Sequence, residues 1–325
     1  MDIDHRKESH QRNDNVEHTL GLLRSIIAEP DRLHRKELDD CKHATIYILG
    51  CARSGTTFLL QYLTQKLDIA YPTNFLSRLY YAPYFGSLLQ KLMVDLDFKK
   101  ELLKPYSEVA EMVSFLGKTK GALSPNEFWY FWRDYFDIGE DNYIKNPSIV
   151  QIKEFVQALN TIKSVHDKAF VMKAMIANKT ISKLAEFDKN AIIIKIERSV
   201  EYNAQSLLQS RQEFFGELSK WYSFKTENFN SLVCKDAYEQ VVAQVIETND
   251  EIERELSKVE ESRIIRLKYE ELKSTLPTCL NELSERLQVK IREEFNPPII
   301  NSNKIQLSNE EWDKIIRYKE LYSKD

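Results

Sequence analysis

Fifteen consecutive residues, Ile46 to Leu60, restrict the fold of this chain more than any others. They begin with Ile46-Tyr47-Ile48-Leu49, a short, continuously apolar run of the kind that fits a strand buried on both faces of a parallel sheet. The chain then turns through Gly50 to Gly55. Phe58, Leu59, Tyr62 and Leu63 follow at the spacing of one helix face. Strand, glycine loop and helix together aim free backbone N–H groups at an anion. Gly50 permits a tight turn, and Gly55 lets the backbone approach a phosphate without a Cβ in the way. Arg53 adds a charged fork that matches oxyanions, and Ser54, Thr56 and Thr57 add hydroxyls. An ordinary strand-turn-helix junction does not need Arg-Ser-Gly-Thr-Thr together.

The spacing matches the phosphate loop G-x-x-x-x-G-K-[ST], with Thr56 where the lysine belongs. That lysine reaches the β- and γ-phosphates of a nucleoside triphosphate. Without it, the loop still holds a 5′-phosphate but is poorly equipped to move a γ-phosphate.

A length of 325 residues allows one large α/β domain with additional helices. The net charge of −4 argues against general nucleic-acid binding, though not against a local basic pocket. Met1 to Asn15 is charged and polar, without the apolar core of a secretory signal, and no run is apolar for long enough to span a bilayer. Cys41, Cys51, Cys234 and Cys279 have no metal-type or CxxC spacing and read as reduced thiols of a cytoplasmic protein. Cys51, inside the loop, reads as a small filler rather than a reactive thiol.

Along the chain, residues from about Val16 to Leu38 have helical periodicity with a break or kink expected at Pro30. Residues 1–40 are therefore expected to be an N-terminal helical extension and 41–325 the main domain, closed by a polar C-terminal helix. Strands are expected near residues 45–50, 68–72, 169–173, 191–197 and 263–268, alternating with helices. That pattern predicts an α/β fold with a mostly parallel sheet of about five strands, covered by helices on both faces. Ser124 and Glu127 read as a capping box with Pro125 at the first helical position, opening a helix dense in aromatic rings from Phe128 to Phe136. Residues 213–259 read as mostly helical.

Two motifs in this order give the chain a resemblance. The loop Gly50-x-x-Arg53-Ser54-Gly55-Thr56-Thr57 resembles the 5′-phosphosulfate loop of sulfotransferases that use 3′-phosphoadenosine 5′-phosphosulfate (PAPS). The strand Ile192–Glu197 runs into Arg198, and Ser206 follows eight residues later. In that family an arginine and serine so placed grip the donor's 3′-phosphate. Two departures stand out: Ser199-Val200 replaces the frequent Asp-Pro, and Ala174-Met175 follows Lys173 in place of a small residue and proline. Arg266-Leu267-Lys268-Tyr269-Glu270-Glu271-Leu272 is similar to a late element that often reads R-Y-E-D-L. The resemblance covers roughly residues 44 to 290. It implies a P-loop-like fold, PAPS as donor, 3′,5′-adenosine bisphosphate (PAP) as product, no metal, and donor contacts from Arg53, Ser54, Gly55, Thr56, Thr57, Arg198 and Ser206.

Charge builds on the leaving phosphate oxygen during in-line transfer, and Arg53, Thr56 and Thr57 are placed to stabilise it. Lys173 is the candidate second cation. The acceptor hydroxyl needs a general base. Glu127 is the candidate, against the alternative that its carboxylate only caps a helix, with Glu108, Glu111 and His166 open. The breadth of the aromatic segments favours a carbohydrate or glycolipid acceptor over a small phenol. The competing expectations are a P-loop kinase of unusual type and a nucleotide-binding protein without turnover.

Overall fold

The computed structural model describes residues 13–35, 41–97, 99, 101–103, 114–115, 117–293 and 303–322. The described elements run α1 (Asp14–Arg35), β1 (Thr45–Leu49), α2 (Thr56–Lys66), α3 (Pro83–Met93), β2 (Ser114–Phe115), β3 (Lys118–Thr119), α4 (Trp129–Tyr135), α5 (Ile149–His166) and β4 (Phe170–Lys173). They continue with α6 (Ile181–Phe187), β5 (Ile192–Glu197), α7 (Val200–Phe215), α8 (Phe229–Leu232), α9 (Ala237–Leu256), β6 (Ile264–Lys268), α10 (Leu272–Leu287) and α11 (Asn309–Tyr322).

The main sheet has the order β4-β1-β5-β6 and every pair is parallel. Tyr47 lies between Met172 and Ile193 in register. Alternation along the strands divides the core in two. Ile46, Ile48, Ile192, Ile194 and Ile196 pack with side chains of α2 and α10. Tyr47, Leu49, Met172 and Ile193 face α5, α6, α7 and α9 on the other side. The sheet is thus covered on both faces, as continuous apolar strands require.

Some local expectations change. Residues 68–72 do not form a full fifth strand: Ala70 makes a single parallel bridge to Phe170, with its N–H on the Ala169 carbonyl at 2.7 Å. Pro72 then removes the donor that further pairing would use. Pro30 lies inside a continuous α1, which packs against α3 and α5. Residues 36–40, where the expected helix would have ended, lie outside the described residues. The capping box at Ser124 does not form. Ser124 Oγ donates to the Lys120 carbonyl, and α4 starts only at Trp129, behind a left-handed Phe128 with φ 59°. A capping box does open α5, where Ser148 accepts from the Gln151 N–H at 3.2 Å. The expected helical stretch 213–259 is interrupted. Gly216 ends α7 in the left-handed conformation, and irregular chain follows as far as α8.

Candidate functional site

All four strands of the main sheet end in a residue of interest, and parallel pairing brings those ends to one edge. β1 runs into the glycine loop, β4 ends at Lys173, β5 at Arg198, and β6 at Tyr269 and Glu270. Ligands of open parallel sheets sit at this edge.

The glycine loop is packed too tightly for larger residues. A Cβ on Gly50 would lie 2.5 Å from the Ile196 carbonyl oxygen. Gly55 caps α2 at φ 106°, and a Cβ there would lie 2.6 Å from the Tyr269 ring. The loop is tied down from beneath: Asn178 donates to the Gly50 carbonyl at 3.1 Å and Asn203 to the Ala52 carbonyl at 2.7 Å. Arg53 is left-handed, φ 71°, a conformation that costs a non-glycine residue roughly 1–3 kcal/mol and concentrates at functional sites. The first N–H groups of α2, at Thr56 and Thr57, have no carbonyl one turn back within the helix and face the end where an anion is favoured.

The two sequence motifs meet. Arg53 Nε donates to Ser206 Oγ at 3.2 Å, and Arg198 Nη1 reaches the Arg53 carbonyl at 3.4 Å. Arg198 lies over the Tyr269 ring, 4.8 Å from its centre, and its Nε donates to Asn303 Oδ1 at 2.8 Å. Asn303 in turn donates to Glu270 Oε1 at 2.6 Å, which also accepts the Ser199 N–H at 3.1 Å. Burial raises the Glu270 pKa, but the hydrogen bonds from Asn303 and Ser199 outweigh it and hold the carboxyl below its usual range. Burial lowers the Arg198 pKa, opposed by Tyr269 and Glu270. The segment from Asn303 to Gln306 continues along α7, with Gln205 bonding both the Lys304 carbonyl at 2.9 Å and the Gln306 N–H at 2.8 Å.

At the other end of the edge, Lys173 Nζ donates to Thr57 Oγ1 at 2.9 Å and forms an ion pair with Glu127. Lys173 is 7% exposed at the side chain and Glu127 21%, so the pair is largely desolvated and both partners are held in place. Trp129 Nε1 donates to the second oxygen of Glu127. The Glu127 carboxylate is therefore engaged with Lys173 and Trp129 and not with a helix start. Its backbone is clamped from both sides. Asn126 donates its N–H to the Pro72 carbonyl at 2.7 Å, and its side chain accepts the Phe128 N–H at 2.8 Å. Gly117 lies against the carboxylate, where a Cβ would stand 2.2 Å from Glu127 Oε1. A small cleft, with room for about one water, opens beside the pair, lined by Glu127, Trp129, Trp132, Lys173, Met175 and Ile176.

Two expected residues turn their side chains away from this edge. Ser54 Oγ is fully buried, points back toward Gly50 and has no hydrogen-bond partner, while its N–H bonds the Cys51 carbonyl at 3.2 Å. His166 lies at the end of α5, before the amino end of β4 and so away from the loop, with Nδ1 3.6 Å from Asp95. Glu108 and Glu111 lie outside the described residues. Thr56 Oγ1 turns to Met175 Sδ at 3.4 Å. Cys51 is buried and its thiol is pushed up to about 12, which agrees with a filler.

Three residues at this edge escape sequence reasoning. Asn303 and Gly117 carry no motif. Tyr222, in the irregular chain after α7, has its pKa pushed up to about 12, chiefly by burial. Arg53 lowers that pKa and Glu127 raises it, so the phenol lies within electrostatic reach of both. Among the described residues, no group of three or more His, Cys, Asp or Glu could hold a metal ion. No described helix is long and apolar enough to cross a membrane.

A parallel sheet with a glycine loop after its first strand, flanked by cations on the neighbouring strand ends, defines a P-loop-like class of group-transfer enzyme. The sequence model of the Sulfotransferase family matches residues 45–293, and the chain belongs to that family. It is a sulfotransferase. No protein with curated annotation matches it. Among solved structures, it is similar to sulfotransferase STF9 from Mycobacterium avium at 13% identity and a TM-score of 0.51, over 96% of this chain and 76% of that one. It also matches sulfotransferase STF1 from Mycobacterium tuberculosis H37Rv at 14% identity and a TM-score of 0.49, over 88% and 73% of the two chains.

Proposed function

We propose that this sulfotransferase takes the sulfuryl group from PAPS and delivers it to an acceptor hydroxyl. Residues 41–325 form the catalytic unit and 1–40 an N-terminal extension of it that includes α1, and the enzyme works in the cytosol. The observation that carries this reading is the meeting of Arg53, Ser206 and Arg198 at one edge of the sheet, with Lys173 and Thr57 beside them. A donor with a 5′-phosphosulfate and a separate 3′-phosphate needs two anion grips side by side. The loop with the N-terminus of α2 supplies one, and Arg198 with Ser206 the other. Ser54 supports the loop from within and its hydroxyl is left out of the donor contacts.

In this reading the acceptor oxygen forms a bond to sulfur while the bond from sulfur to the bridging oxygen breaks. The electron pair leaves on the 5′-phosphate of PAP. Lys173, Thr57 and Arg53 stabilise that charge without reorganising. Glu127 takes the acceptor proton. The glycan or glycolipid expectation rested on Arg53 in the loop and on the breadth of the aromatic segments, of which 128–136 is one. Phe131, Trp132 and Phe136 pack on Phe155 in the core, so those rings do not floor a sugar.

The test is calorimetric titration with PAP, and with ATP in the presence and absence of Mg²⁺, on the wild type, Arg53→Ala and Arg198→Ala. Metal-independent PAP binding that weakens at least tenfold, about 1.4 kcal/mol, in both variants is expected. A preference for Mg·ATP, or indifference to Arg198, overturns the reading.

A further inference from the structure

The turn inside the glycine loop has a conformation that its own residues do not favour. The Ser54 N–H closes it on the Cys51 carbonyl at 3.2 Å, which makes Ala52 and Arg53 its two central residues. Arg53 has φ 71°, and Ala52 is not left-handed. A positive φ at the second central position alone marks a type II turn, which favours glycine or asparagine there. Arginine fits type I, and the two types differ by a flip of the central peptide. Here that peptide joins Ala52 to Arg53.

A group outside the turn holds this peptide. Asn203, on α7 and three residues before Ser206, donates to the Ala52 carbonyl at 2.7 Å. Asn203 is 0% exposed, and its Oδ1 has no hydrogen-bond partner among the described residues. A buried amide with an idle oxygen is a costly way to fill space, because an apolar residue would bury no unpaired acceptor. The peptides on either side have holders of their own: Asn178 donates to the Gly50 carbonyl at 3.1 Å, and Arg198 Nη1 reaches the Arg53 carbonyl at 3.4 Å. The N–H and C=O of a trans peptide point in opposite directions. With the Ala52 carbonyl turned to the buried Asn203, the Arg53 N–H points away from it.

Resting on the donor reading above, we propose that Asn203 is a positioning residue that selects the type II form of this turn. The loop then offers the Arg53 N–H, and not the Ala52 carbonyl, to the donor's 5′-phosphate. Without Asn203 the turn relaxes to type I and an oxygen faces the anion. The 5′ grip weakens, while the 3′ grip at Arg198 and Ser206 stays. One helix, α7, thus sets the backbone of the first grip through Asn203 and supplies Ser206 to the second.

The test is titration of the full chain with PAP and with adenosine 3′-monophosphate, which lacks the 5′-phosphate, the weaker ligand being read by displacement of labelled PAP. Asn203→Leu removes the donor and keeps the bulk. It is expected to weaken PAP about tenfold and the 3′-monophosphate by no more than about twofold. The same substitution is then made beside Arg53→Gly. Glycine takes a positive φ without penalty, so the further loss from Asn203→Leu is expected to shrink to about twofold. Dissociation constants refer to folded protein, so a reduced folded fraction does not move these ratios. Asn203→Ala serves where leucine is not accommodated. Equal losses for both ligands, unchanged PAP affinity, a loss as large beside Arg53→Gly, or failure of both variants to fold would overturn the proposal and leave the donor assignment standing. Failure of PAP to bind the wild type would remove the donor reading, and this proposal with it.

Discussion

Glu127 stands at a point where three constraints meet. The residue after it is left-handed, the residue before it is pinned to Pro72, and its carboxylate is shared between Lys173 and Trp129. A carboxylate used only to cap a helix needs none of this. Glu127→Gln retains the shape and a hydrogen-bond acceptor for Lys173 but cannot take a proton. It is expected to lower kcat by roughly 10²- to 10⁴-fold and leave PAP affinity unchanged. Turnover within a few-fold of wild type at saturating donor would remove Glu127 as the base. The residue type was legible from the aromatic segment that surrounds it. Its true environment was not, because Ser124-Pro125-x-Glu127 satisfies the local pattern of a helix start. Tertiary contacts to residues 72–74 override that pattern: the Asn74 N–H bonds the Ser124 carbonyl at 3.0 Å, and Asn126 bonds the Asn74 side chain at 2.6 Å.

Among the elements, the strands that carry the donor side were readable because each motif is contiguous and lies at the end of an apolar run. The strand β1 with its loop, β4 ending at Lys173 and β5 ending at Arg198 all follow from that signal. The acceptor side is assembled from separate pieces, such as the two-stranded pair β2–β3, the start of α4 and the chain around Tyr222. No local pattern joins them. Gly117, beside β3, illustrates the difference. At φ 85°, with its Cα facing Glu127, it admits no side chain unless the carboxylate moves. Gly117→Ala is expected to cost about 1 kcal/mol of stability through its backbone. It should also lower kcat by roughly 10- to 100-fold through displacement of Glu127, with PAP affinity unchanged. Melting curves and steady-state kinetics on the same sample separate the two effects. Asn303 makes the opposite prediction. Asn303→Ala removes the acceptor on Arg198 Nε, so PAP binding should weaken about tenfold while kcat at saturating donor holds. A fall in kcat with donor affinity intact would contradict this assignment.

Across the whole molecule, burial of ionisable groups sets the alkaline limit. The Cys51 and Cys279 thiols are both pushed up to about 12 by burial, and Tyr47 and Tyr143 are raised well above the usual phenol value for the same reason. These groups stay neutral in the fold and ionise on unfolding. For the thiols this contribution is complete below the unfolded value near 8.5, and for the phenols below about 10; each is lost as pH rises above that value, by up to about 1.4 kcal/mol per pH unit for each group. The melting temperature is expected to fall from about pH 8.5 upward, more gently in a Cys51→Ala, Cys279→Ala double variant. Equal slopes in the two proteins would show that the thiols are not the cause. The alternation of apolar strands with helices made the layered architecture legible at this scale, while the length of the pairing at Ala70, the break after Gly216 and the β2–β3 pair were not.

The hydrogen bond between Arg198 and Asn303 spans more than a hundred residues of chain. Every strand of the sheet and the glycine loop is synthesised before Asn303, so the wall that holds Arg198 is the last part of this edge to be made. On the PAPS reading proposed above, a nascent chain therefore completes its donor pocket only when the segment from Asn303 to Gln306 has emerged and settled along α7.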